Sequence, residues 1–271
     1  MALVYKDFLQ KLKSVMDIYQ AEAELNLILE SVDFSKIKYL SGFELSKDKA
    51  KKVDFFIKKR IEEKIPIQYL LGFGYFMGEK FFVNEDVLIP RPETELLVQK
   101  TIEFNGKKLL DIGTGTGCIA IMVKKLSNKD VMACDISQKA LEVAQKNAKN
   151  LHAEVDFIKS DLFENINEKF DIIVSNPPYI PKNTMPELQK EVAEHEPHLA
   201  LFTEDEKGVE FYKNIIKNAP EYLNRGGYLC FELGINQSGM VAEMFMEKGF
   251  GCIEIIKDLN GIERIITARF I

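Results

Sequence analysis

The sequence predicts an α/β protein in which a mainly parallel β-sheet follows a small domain made only of helices. Apolar residues recur at helical spacing through the first 71 positions, and strand-like and helix-like segments alternate from residue 107 to residue 248. The last two strand-like segments have no helix between them and are joined by Asn260-Gly261, a dipeptide typical of tight hairpin turns. We therefore expect five parallel strands followed by an antiparallel hairpin.

The domain boundaries follow from changes in this pattern along the chain. Residues 1–71 are expected to form the helical domain, and their polar residues show no catalytic grouping. Residues 72–90 are aromatic, interrupted by glycine and partly alternating, which predicts a β-hairpin connector that turns near Gly78. Residues 91–271 are expected to carry the sheet.

Apolar runs separated by glycine, proline and charged residues give the elements of this last segment. The predicted strands cover residues 107–112, 131–135, 155–159, 170–175, 228–233, 251–259 and 263–270. The predicted helices cover residues 118–126, 138–150, 208–223 and 238–248, after a first helix that begins at Pro92 and ends near Phe104.

Charge and cysteine usage bear on the class of protein. The 36 basic and 42 acidic residues give a net charge of −6, so no overall electrostatic attraction for nucleic acid is expected. The four cysteines form no CxxC pair and lie in or beside apolar runs, which indicates buried side chains in a reducing compartment. No run of 18 uncharged apolar residues is present, so we expect no membrane-spanning helix and a cytoplasmic protein.

A glycine-rich loop follows the first strand of the predicted parallel sheet. Glycines allow a tight turn and a close approach of the backbone to a ligand, and the helix that follows presents unpaired N–H groups. We predict that this loop binds a cofactor through Gly113, Thr114, Gly115, Thr116 and Gly117. Asp135 ends the next strand, 20 residues after Gly115, where a carboxylate can accept hydrogen bonds from a ribose diol.

This loop fits two cofactors. Gly115, Gly117 and Ala120 satisfy the dinucleotide fingerprint, whereas S-adenosylmethionine needs the same ribose carboxylate but no site for a pyrophosphate. The loop alone does not choose between them. Downstream, Asp161 and Leu162 follow the third strand, where they are placed to meet the edge of an adenine.

The fourth predicted strand ends abruptly at Asn176-Pro177-Pro178-Tyr179. Proline has no N–H and a fixed φ, so the strand must end there, at the edge where open α/β sheets bind ligands. The Asn176 side chain and the proline carbonyls offer acceptors for a planar NH2 group, and Tyr179 offers an aromatic face. A turn capped by Asn176 is the plain structural interpretation. A clamp for an NH2 group has no use in hydride transfer, so it favours S-adenosylmethionine over a nicotinamide cofactor.

Two other polar features lie outside these motifs. His195 and His198 are three residues apart, but Pro197 disrupts the helix that would aim both at one ion, so no metal site is predicted. Arg91 is held between two prolines, an arrangement stiffer than a linker needs. We therefore take Arg91 as a candidate substrate contact.

Taken together, the motifs resemble those of known enzymes. DIGTGTG, the acid at Asp135, SDLF and NPPY are similar to the motifs of Rossmann-like class I methyltransferases. The segments 66–95, which contains PRPETE, and 196–201, EPHLAL, resemble the release factor glutamine methyltransferases of the PrmC/HemK type. The resemblance covers nearly the whole chain, with one departure: Leu162 stands where some members of that family have an aromatic residue.

The resemblance implies that S-adenosylmethionine methylates the side-chain amide nitrogen of the glutamine in the Gly-Gly-Gln motif of class I peptide chain release factors, leaving S-adenosylhomocysteine. Because the helical domain has an apolar core but no catalytic grouping, we expect it to recognise the protein substrate, and we expect a monomer. The site residues expected from it are Asn176, Pro177 and Tyr179 for catalysis; Asn176, Pro177, Pro178, Tyr179 and Arg91 for the substrate; and Gly113, Thr114, Gly115, Thr116, Gly117, Asp135, Asp161, Leu162 and Asn176 for the cofactor.

An adenine N6-methyltransferase acting on DNA or RNA is the alternative, because such enzymes share NPPY. Such an enzyme would need a basic region to bind the phosphates of its nucleic-acid target, and the net charge does not indicate one. A nicotinamide oxidoreductase and a non-catalytic protein that retains the fold are both disfavoured by the intact loop together with NPPY.

Overall fold

The computed structural model of the chain describes residues 5–40 and 44–271, which form two compact units. The first unit comprises Met1–Phe73 together with Gln189–His195, and the second comprises Gly74–Leu188 together with Glu196–Ile271. Residues 1–4 and 41–43 of the predicted helical domain lie outside the described residues. The sequence did not predict that residues 189–195 belong to the first unit.

Helices come first along the chain, and helices and strands are interspersed after residue 73. The helices are α1 (Tyr5–Leu12), α2 (Ile18–Glu30), α3 (Lys36–Leu40), α4 (Lys47–Glu62), α5 (Ile67–Leu71), α6 (Thr94–Glu103), α7 (Cys118–Leu126), α8 (Gln138–Asn150), α9 (Lys190–His195), α10 (His198–Leu201), α11 (Glu210–Tyr222) and α12 (Ser238–Glu247), with a 3-10 helix at Lys182–Glu187. The strands are β1 (Phe73–Phe76), β2 (Glu79–Phe82), β3 (Lys108–Ile112), β4 (Asp130–Asp135), β5 (Asp156–Lys159), β6 (Phe170–Ser175), β7 (Ile180–Pro181), β8 (Phe202–Thr203), β9 (Leu223–Glu232), β10 (Phe250–Lys257) and β11 (Glu263–Phe270).

A buried ion pair lies inside the first unit. Arg60 of α4 donates to both carboxylate oxygens of Glu24 in α2, at 2.8 and 3.0 Å, and its Nη1 lies 2.8 Å from Glu191 of α9. Arg60 is only 5% exposed, and two carboxylates balance its charge where an unpaired charge would be costly. This cluster holds α9 in the first unit. The remaining core of the unit is apolar and includes Phe8, Leu12, Leu25, Ile28, Val53 and Ile57.

Within residues 44–271, seven strands form one sheet in the order β10-β11-β9-β6-β3-β4-β5. The strands β9, β6, β3, β4 and β5 are parallel, while β11 is antiparallel to both β9 and β10. The predicted fold class, with five parallel strands and a terminal antiparallel hairpin, is therefore confirmed.

Helices cover both faces of this sheet. This is shown by neighbouring residues of its strands, which belong to different apolar clusters. Leu109 and Ile172 pack in a cluster with α6 and α7, whereas Leu110 and Ile173 pack in a cluster with α11 and α12. Side chains alternate between the faces of a strand, so both faces of β3 and β6 are buried. This burial explains why these strands appear in the sequence as continuous apolar runs.

The predicted hairpin of residues 72–90 is present as β1 and β2, with the turn at Met77 and Gly78. Asn147 of α8 accepts from the backbone N–H of Phe82 at 2.7 Å and donates to its carbonyl at 3.0 Å. Asn147 also donates to the carbonyl of Thr116, at 3.0 Å. One side chain thus joins β2 to the glycine-rich loop.

The elements differ from the predicted ones in a few places. β9 begins at Leu223 instead of residue 228, so it includes Gly226 and Gly227, which lie between the predicted helix and the predicted strand. Its pairing with β6 is irregular between Phe170 and Ile172, where the register shifts and the extra residues of β9 lie outside the regular ladder. The short pair of β7 and β8 was not predicted. Over the described residues, no helix is long and apolar enough to cross a membrane.

Candidate active site

The register of the parallel strands brings four strand ends together. Cys134, Ile112, Ser175 and Phe231 lie in one row across β4, β3, β6 and β9. The residues that come next in the chain lie at the carboxyl edge of the sheet, where open α/β sheets bind ligands. These are Asp135, Gly113, Asn176 and Glu232.

A cavity of about 410 Å³ opens at this edge of the sheet, within the second unit. Its volume falls in the range of roughly 300–1,000 Å³ that is usual for small-molecule sites. The predicted site residues that line it are Arg91, Gly113, Thr114, Gly115, Thr116, Asp135, Asp161, Leu162, Asn176, Pro177 and Pro178. Two predicted residues, Gly117 and Tyr179, are not among its lining residues.

Gly117 has a packing role that its position explains. It precedes α7 with a φ of +80°, and a Cβ there would lie 2.9 Å from Ile121 and 3.1 Å from the Cβ of Ala144. Both distances are too short, so Gly117 allows α7 to approach α8 closely. A cofactor contact by Gly117 stays a prediction.

Asp135 faces the cavity from the end of β4. Its carboxylate accepts from the backbone N–H groups of Gly115 and Ser137, each at 2.9 Å. Burial raises the pKa of Asp135 above its ordinary value, and these backbone hydrogen bonds oppose that rise by favouring the charged form. Asp135 therefore fixes the glycine-rich loop, while its remaining lone pairs can accept from a ligand.

Asp111 lies beneath the loop and is completely buried. Its Oδ2 accepts from the hydroxyl of Thr114 at 2.7 Å, whereas its Oδ1 is buried with no hydrogen-bond partner among the described residues. Burial raises the pKa of Asp111 from 3.8 to about 7, although the Thr114 hydrogen bond works against this. The loop is thus built over a carboxyl group that binds a proton readily.

A chain of polar side chains runs from Asn176 into the interior. The Nδ2 of Asn176 donates to the hydroxyl oxygen of Thr94 at 3.3 Å, and Thr94 donates to Oε2 of Glu232 at 2.6 Å. The hydroxyl of Tyr179 donates to the other carboxylate oxygen of Glu232 at 3.3 Å. Tyr179 is therefore directed toward Glu232, and stacking of its ring on a substrate amide stays a prediction.

Glu232 is 2% exposed, and burial raises its pKa. The hydrogen bonds from Thr94 and Tyr179, and the positive charge of Arg264, act in the opposite direction. Both carboxylate oxygens serve as acceptors, which suits the ionised form.

Arg91 approaches the cavity from the segment before α6. Its Nη2 lies 2.6 and 2.7 Å from the two carboxylate oxygens of Glu196, whose side chain is 1% exposed. Pro197, Leu199 and Ala200, which follow Glu196, also line the cavity. The ion pair thus joins the PRPETE and EPHLAL segments at one wall of the site.

Gln237 holds the backbone just after the two prolines of NPPY. Its Nε2 lies 3.0 Å from the carbonyl of Tyr179 and 3.1 Å from that of Gly208, and its Oε1 accepts from the N–H of Gly234 at 3.0 Å. A Cβ at Gly208 would lie 2.1 Å from the Tyr179 carbonyl oxygen, so only glycine fits there. This close contact fixes the path of the chain as it leaves the site.

Sequence reasoning missed part of the site. Thr94 and Glu232 were not singled out, although Glu232 ends a strand just as Asp135 does. Leu88, Phe211 and Ile215 supply much of the apolar lining but carry no motif. Phe211 brings an aromatic ring to a cavity in which Leu162 supplies none.

The residues of the cavity fit S-adenosylmethionine. A Cβ at Gly113 or Gly115 would meet no atom within 4 Å, so the loop faces open space. Asp135 offers carboxylate lone pairs beside it, and the apolar walls suit an adenine ring. Over the described residues, no group of three or more His, Cys, Asp or Glu side chains is placed to hold a metal ion.

Comparison with known proteins agrees with this geometry. Residues 92–198 match the family model described as a methyltransferase small domain. The structure is similar to a crystal structure of a methyltransferase from Pyrococcus furiosus, with a TM-score of 0.56 and 21% sequence identity over 72% of this chain and 90% of that one. At this identity, the likeness establishes a methyltransferase fold.

Two curated relatives are closer in sequence. A release factor glutamine methyltransferase from Flavobacterium psychrophilum is 39% identical over 97% of this chain and 96% of its own length. One from Bacillus cereus is 41% identical over 83% of each chain. Such identity over nearly the full length of both proteins means that this chain belongs to the family of release factor glutamine methyltransferases, which use S-adenosylmethionine as methyl donor.

Proposed function

We propose that this enzyme methylates the side-chain amide nitrogen of the glutamine in the Gly-Gly-Gln motif of class I peptide chain release factors. The observation that carries the proposal is the position of Asn176. It lies beside Gly113 at the edge of the sheet and lines the same cavity as Asp135. A group that can hold an NH2 and a site that suits the methyl donor therefore share one cavity.

An amide nitrogen is a poor nucleophile, because its lone pair is delocalised into the carbonyl. When bound, S-adenosylmethionine supplies a methyl group on a cationic sulfonium. The carbonyl oxygens of the Asn176 side chain and of Pro177 would accept hydrogen bonds from the substrate NH2. These acceptors would aim the nitrogen and favour the positive charge that develops on it.

This mechanism needs no dedicated general base. Holding two reactants in line can supply roughly 7–11 kcal/mol of the barrier. The N-methylated amide cation is a strong acid and loses its proton readily to water. The task of the protein is therefore to fix the direction of the substrate amide.

We also propose that the helical domain of residues 1–71 recognises the release factor. Its core is apolar, and its buried ionic group, Arg60, is fully engaged with carboxylates. Large apolar side chains remain exposed on it, among them Tyr19 and Ile37, which are 83% and 76% exposed. Contiguous exposed apolar patches are common contact surfaces for partner proteins, so these side chains are the ones to test. A monomeric state and a cytoplasmic location remain predictions.

The proposal is tested with the purified full-length chain and labelled S-adenosylmethionine. The substrates are an intact release factor, the same factor with its Gly-Gly-Gln glutamine replaced by alanine, and adenine-containing DNA and RNA oligonucleotides. We expect label on the intact factor alone, and peptide mapping should place one methyl group on that glutamine.

The role of the helical domain is tested with the double variant Tyr19→Ser, Ile37→Ser. The control is the double variant Lys6→Ser, Lys13→Ser on the same unit. The apolar pair should raise KM for the intact factor, and the lysine pair should not. Transfer to adenine, with none to the factor, would replace the proposal with the nucleic-acid alternative. Equal KM values for both double variants would remove substrate recognition from these apolar side chains.

A further inference from the structure

Thr94 and Glu232 are two of the buried polar residues that the proposed mechanism leaves unused. Each is 2% exposed, and Thr94 lies at the first position of α6 while Glu232 ends β9. They come from elements 138 residues apart and meet at 2.6 Å. A polar contact assembled in this way beside Asn176 has a cost in desolvation that a purely apolar core would avoid.

The direction of the hydrogen bonds follows from the donors that are present. Glu232 receives hydrogen bonds at both carboxylate oxygens, from Thr94 and from Tyr179, so it acts as an acceptor. Thr94 has one hydroxyl proton, and that proton is directed to Glu232. Toward Asn176, Thr94 therefore presents only lone pairs.

This leaves one orientation for the Asn176 carboxamide. The atom that faces Thr94, at 3.3 Å, must be the NH2 group, because only a donor can pair with the lone pairs of that hydroxyl. The side-chain oxygen of Asn176 then lies on the other side of the amide. Without Thr94, the amide can turn by 180° and present its NH2 group to the substrate NH2, which pairs two donors.

We propose that Thr94 and Glu232 are positioning residues that fix the Asn176 side-chain oxygen as the acceptor for the substrate amide. The inference rests on the proposed function, and it adds a determinant of which atom Asn176 offers. Glu232 holds the hydroxyl proton of Thr94, and Thr94 holds the NH2 group of Asn176. Neither side chain needs to touch the transferred methyl group.

The backbone around Glu232 is itself fixed, which such a role requires. The hydroxyl of Tyr212, a fully buried residue of α11, donates to the Glu232 carbonyl at 2.9 Å. Glu232 is paired with Ile265 in the antiparallel ladder, and the residue before it is in register with Ser175. The carboxylate is thus held on a rigid part of the sheet, as precise positioning of a site requires.

The test is a double-mutant cycle with Thr94→Val and Asn176→Ala, measured as methylation of the release-factor glutamine. Thr94→Val keeps the shape of the side chain and removes the hydroxyl. We expect it to lower kcat by about 10- to 100-fold, as misdirected positioning does, with the S-adenosylmethionine Kd within about twofold of wild type. In the Asn176→Ala background the same change should alter kcat by less than about twofold, because its effect acts through Asn176.

Two further variants separate this role from a structural one. Thr94→Ser restores the hydroxyl and should recover most of the lost rate. Thr101→Val is the matched control: Thr101 lies on the same helix, is fully buried, and its hydroxyl donates to the helix carbonyl of Leu97, away from Asn176, so a loss of stability there should leave kcat unchanged. If Thr94→Val does not fold, Thr94→Ala replaces it in the cycle.

The outcomes distinguish the inference from the proposed function. If the wild-type enzyme does not methylate the glutamine, the proposed function fails. If wild type methylates it, the function stands, and three results would then overturn the positioning role. These are a reduction of kcat in the double variant equal to the product of the reductions in Thr94→Val and Asn176→Ala, a loss of cofactor affinity in Thr94→Val as large as its loss of kcat, or a Thr94→Val enzyme as fast as wild type.

Discussion

Arg91 and Glu196 are 105 residues apart in the chain, and one nitrogen of the Arg91 guanidinium lies within 2.7 Å of both carboxylate oxygens of Glu196. The contact joins the two segments that make the family resemblance specific. The Glu196 side chain is 1% exposed and that of Arg91 is 33% exposed, so the charge of a buried carboxylate is balanced by a cation at the cavity wall.

We expect Arg91→Met to lower the free energy of unfolding by about 1–3 kcal/mol, because a buried carboxylate loses its cation. Since a single nitrogen makes both contacts, Arg91→Lys should lose less than Arg91→Met. The matched control is Lys182→Met, whose ion pair with Glu204 is exposed on both sides and should contribute less than about 1 kcal/mol. Urea unfolding of the three variants measures this, and equal stability of Arg91→Met and wild type would contradict it.

Asn176→Ala should reduce kcat by about 10²–10³-fold, roughly 3–4 kcal/mol, because an acceptor for a nitrogen that gains positive charge is lost. Its effect on the S-adenosylmethionine Kd should be much smaller. Asn176→Asp should be as slow as Asn176→Ala, since an oxygen would then face the lone pairs of Thr94. Rates come from peptide mapping of the methylated glutamine. A near wild-type rate in a folded Asn176→Ala enzyme would contradict the mechanism in which Asn176 accepts a hydrogen bond from the substrate amide.

Asp135→Ala should weaken S-adenosylmethionine binding by about 1–3 kcal/mol, because the acceptor for a ribose diol is lost together with the hydrogen bond that fixes Gly115 of the loop. Asp156→Ala, at the exposed start of the adjacent strand, is the control and should bind as wild type does. Calorimetry measures both, and NAD titrated into wild type should give no binding heat. Unchanged affinity in folded Asp135→Ala would remove this residue from the cofactor site.

Stability should fall with rising pH on account of Asp111. Its pKa is raised from 3.8 to about 7 by burial, so between these two values the folded chain binds a proton that the unfolded chain releases. The stabilisation is complete below pH 4 and is lost by about pH 7, a span worth roughly 4 kcal/mol. Asp111→Asn should remove this part of the pH dependence. Unfolding free energies measured at several pH values test it, and parallel curves for wild type and Asp111→Asn would refute the assignment.

Gly208→Ala should impair both folding stability and kcat, because its Cβ would meet the Tyr179 carbonyl oxygen at 2.1 Å and the residue has a φ of +69°. The chain must then shift at the end of NPPY. Gly239→Ala is the control: a Cβ there meets nothing within 4 Å, and in α12 alanine should stabilise by roughly 0.5–1 kcal/mol. Thermal unfolding and turnover should separate the two variants, and equal behaviour would show that the contact at Gly208 is not limiting.

Local pattern was enough to predict the sheet, because its inner strands are buried on both faces and form continuous apolar runs. Leu109-Leu110 and Ile172-Ile173 each place one residue in each core cluster. The same logic located Asp135 and Asn176, since each follows directly after such a run. These residues were therefore predictable from their own neighbours in the chain.

The polar network behind Asn176 was not predictable in this way. Glu232 also follows an apolar run, but its meaning depends on β9 lying next to β6 in register, which is a property of the strand order. Thr94 falls in the first turn of a helix predicted to begin at Pro92, and nothing near it in the sequence indicates a partner 138 residues away. The same holds for two glycines of the loop. Gly115 faces open space whereas Gly117 is needed for close packing, and this difference depends on how α7 packs against α8.

The attachment of α9 to the first unit through Glu191 and Arg60 has a consequence for the order of assembly during translation. The chain emerges from its amino end, and domains commonly fold in that order as they are made. Here the amino-terminal unit is complete only when His195 has been synthesised, by which time β3 to β6 and the glycine-rich loop already exist. The buried guanidinium of Arg60 must wait for its second carboxylate until then. For the same reason, a helical unit grafted from a relative by a single crossover would arrive without its last helix.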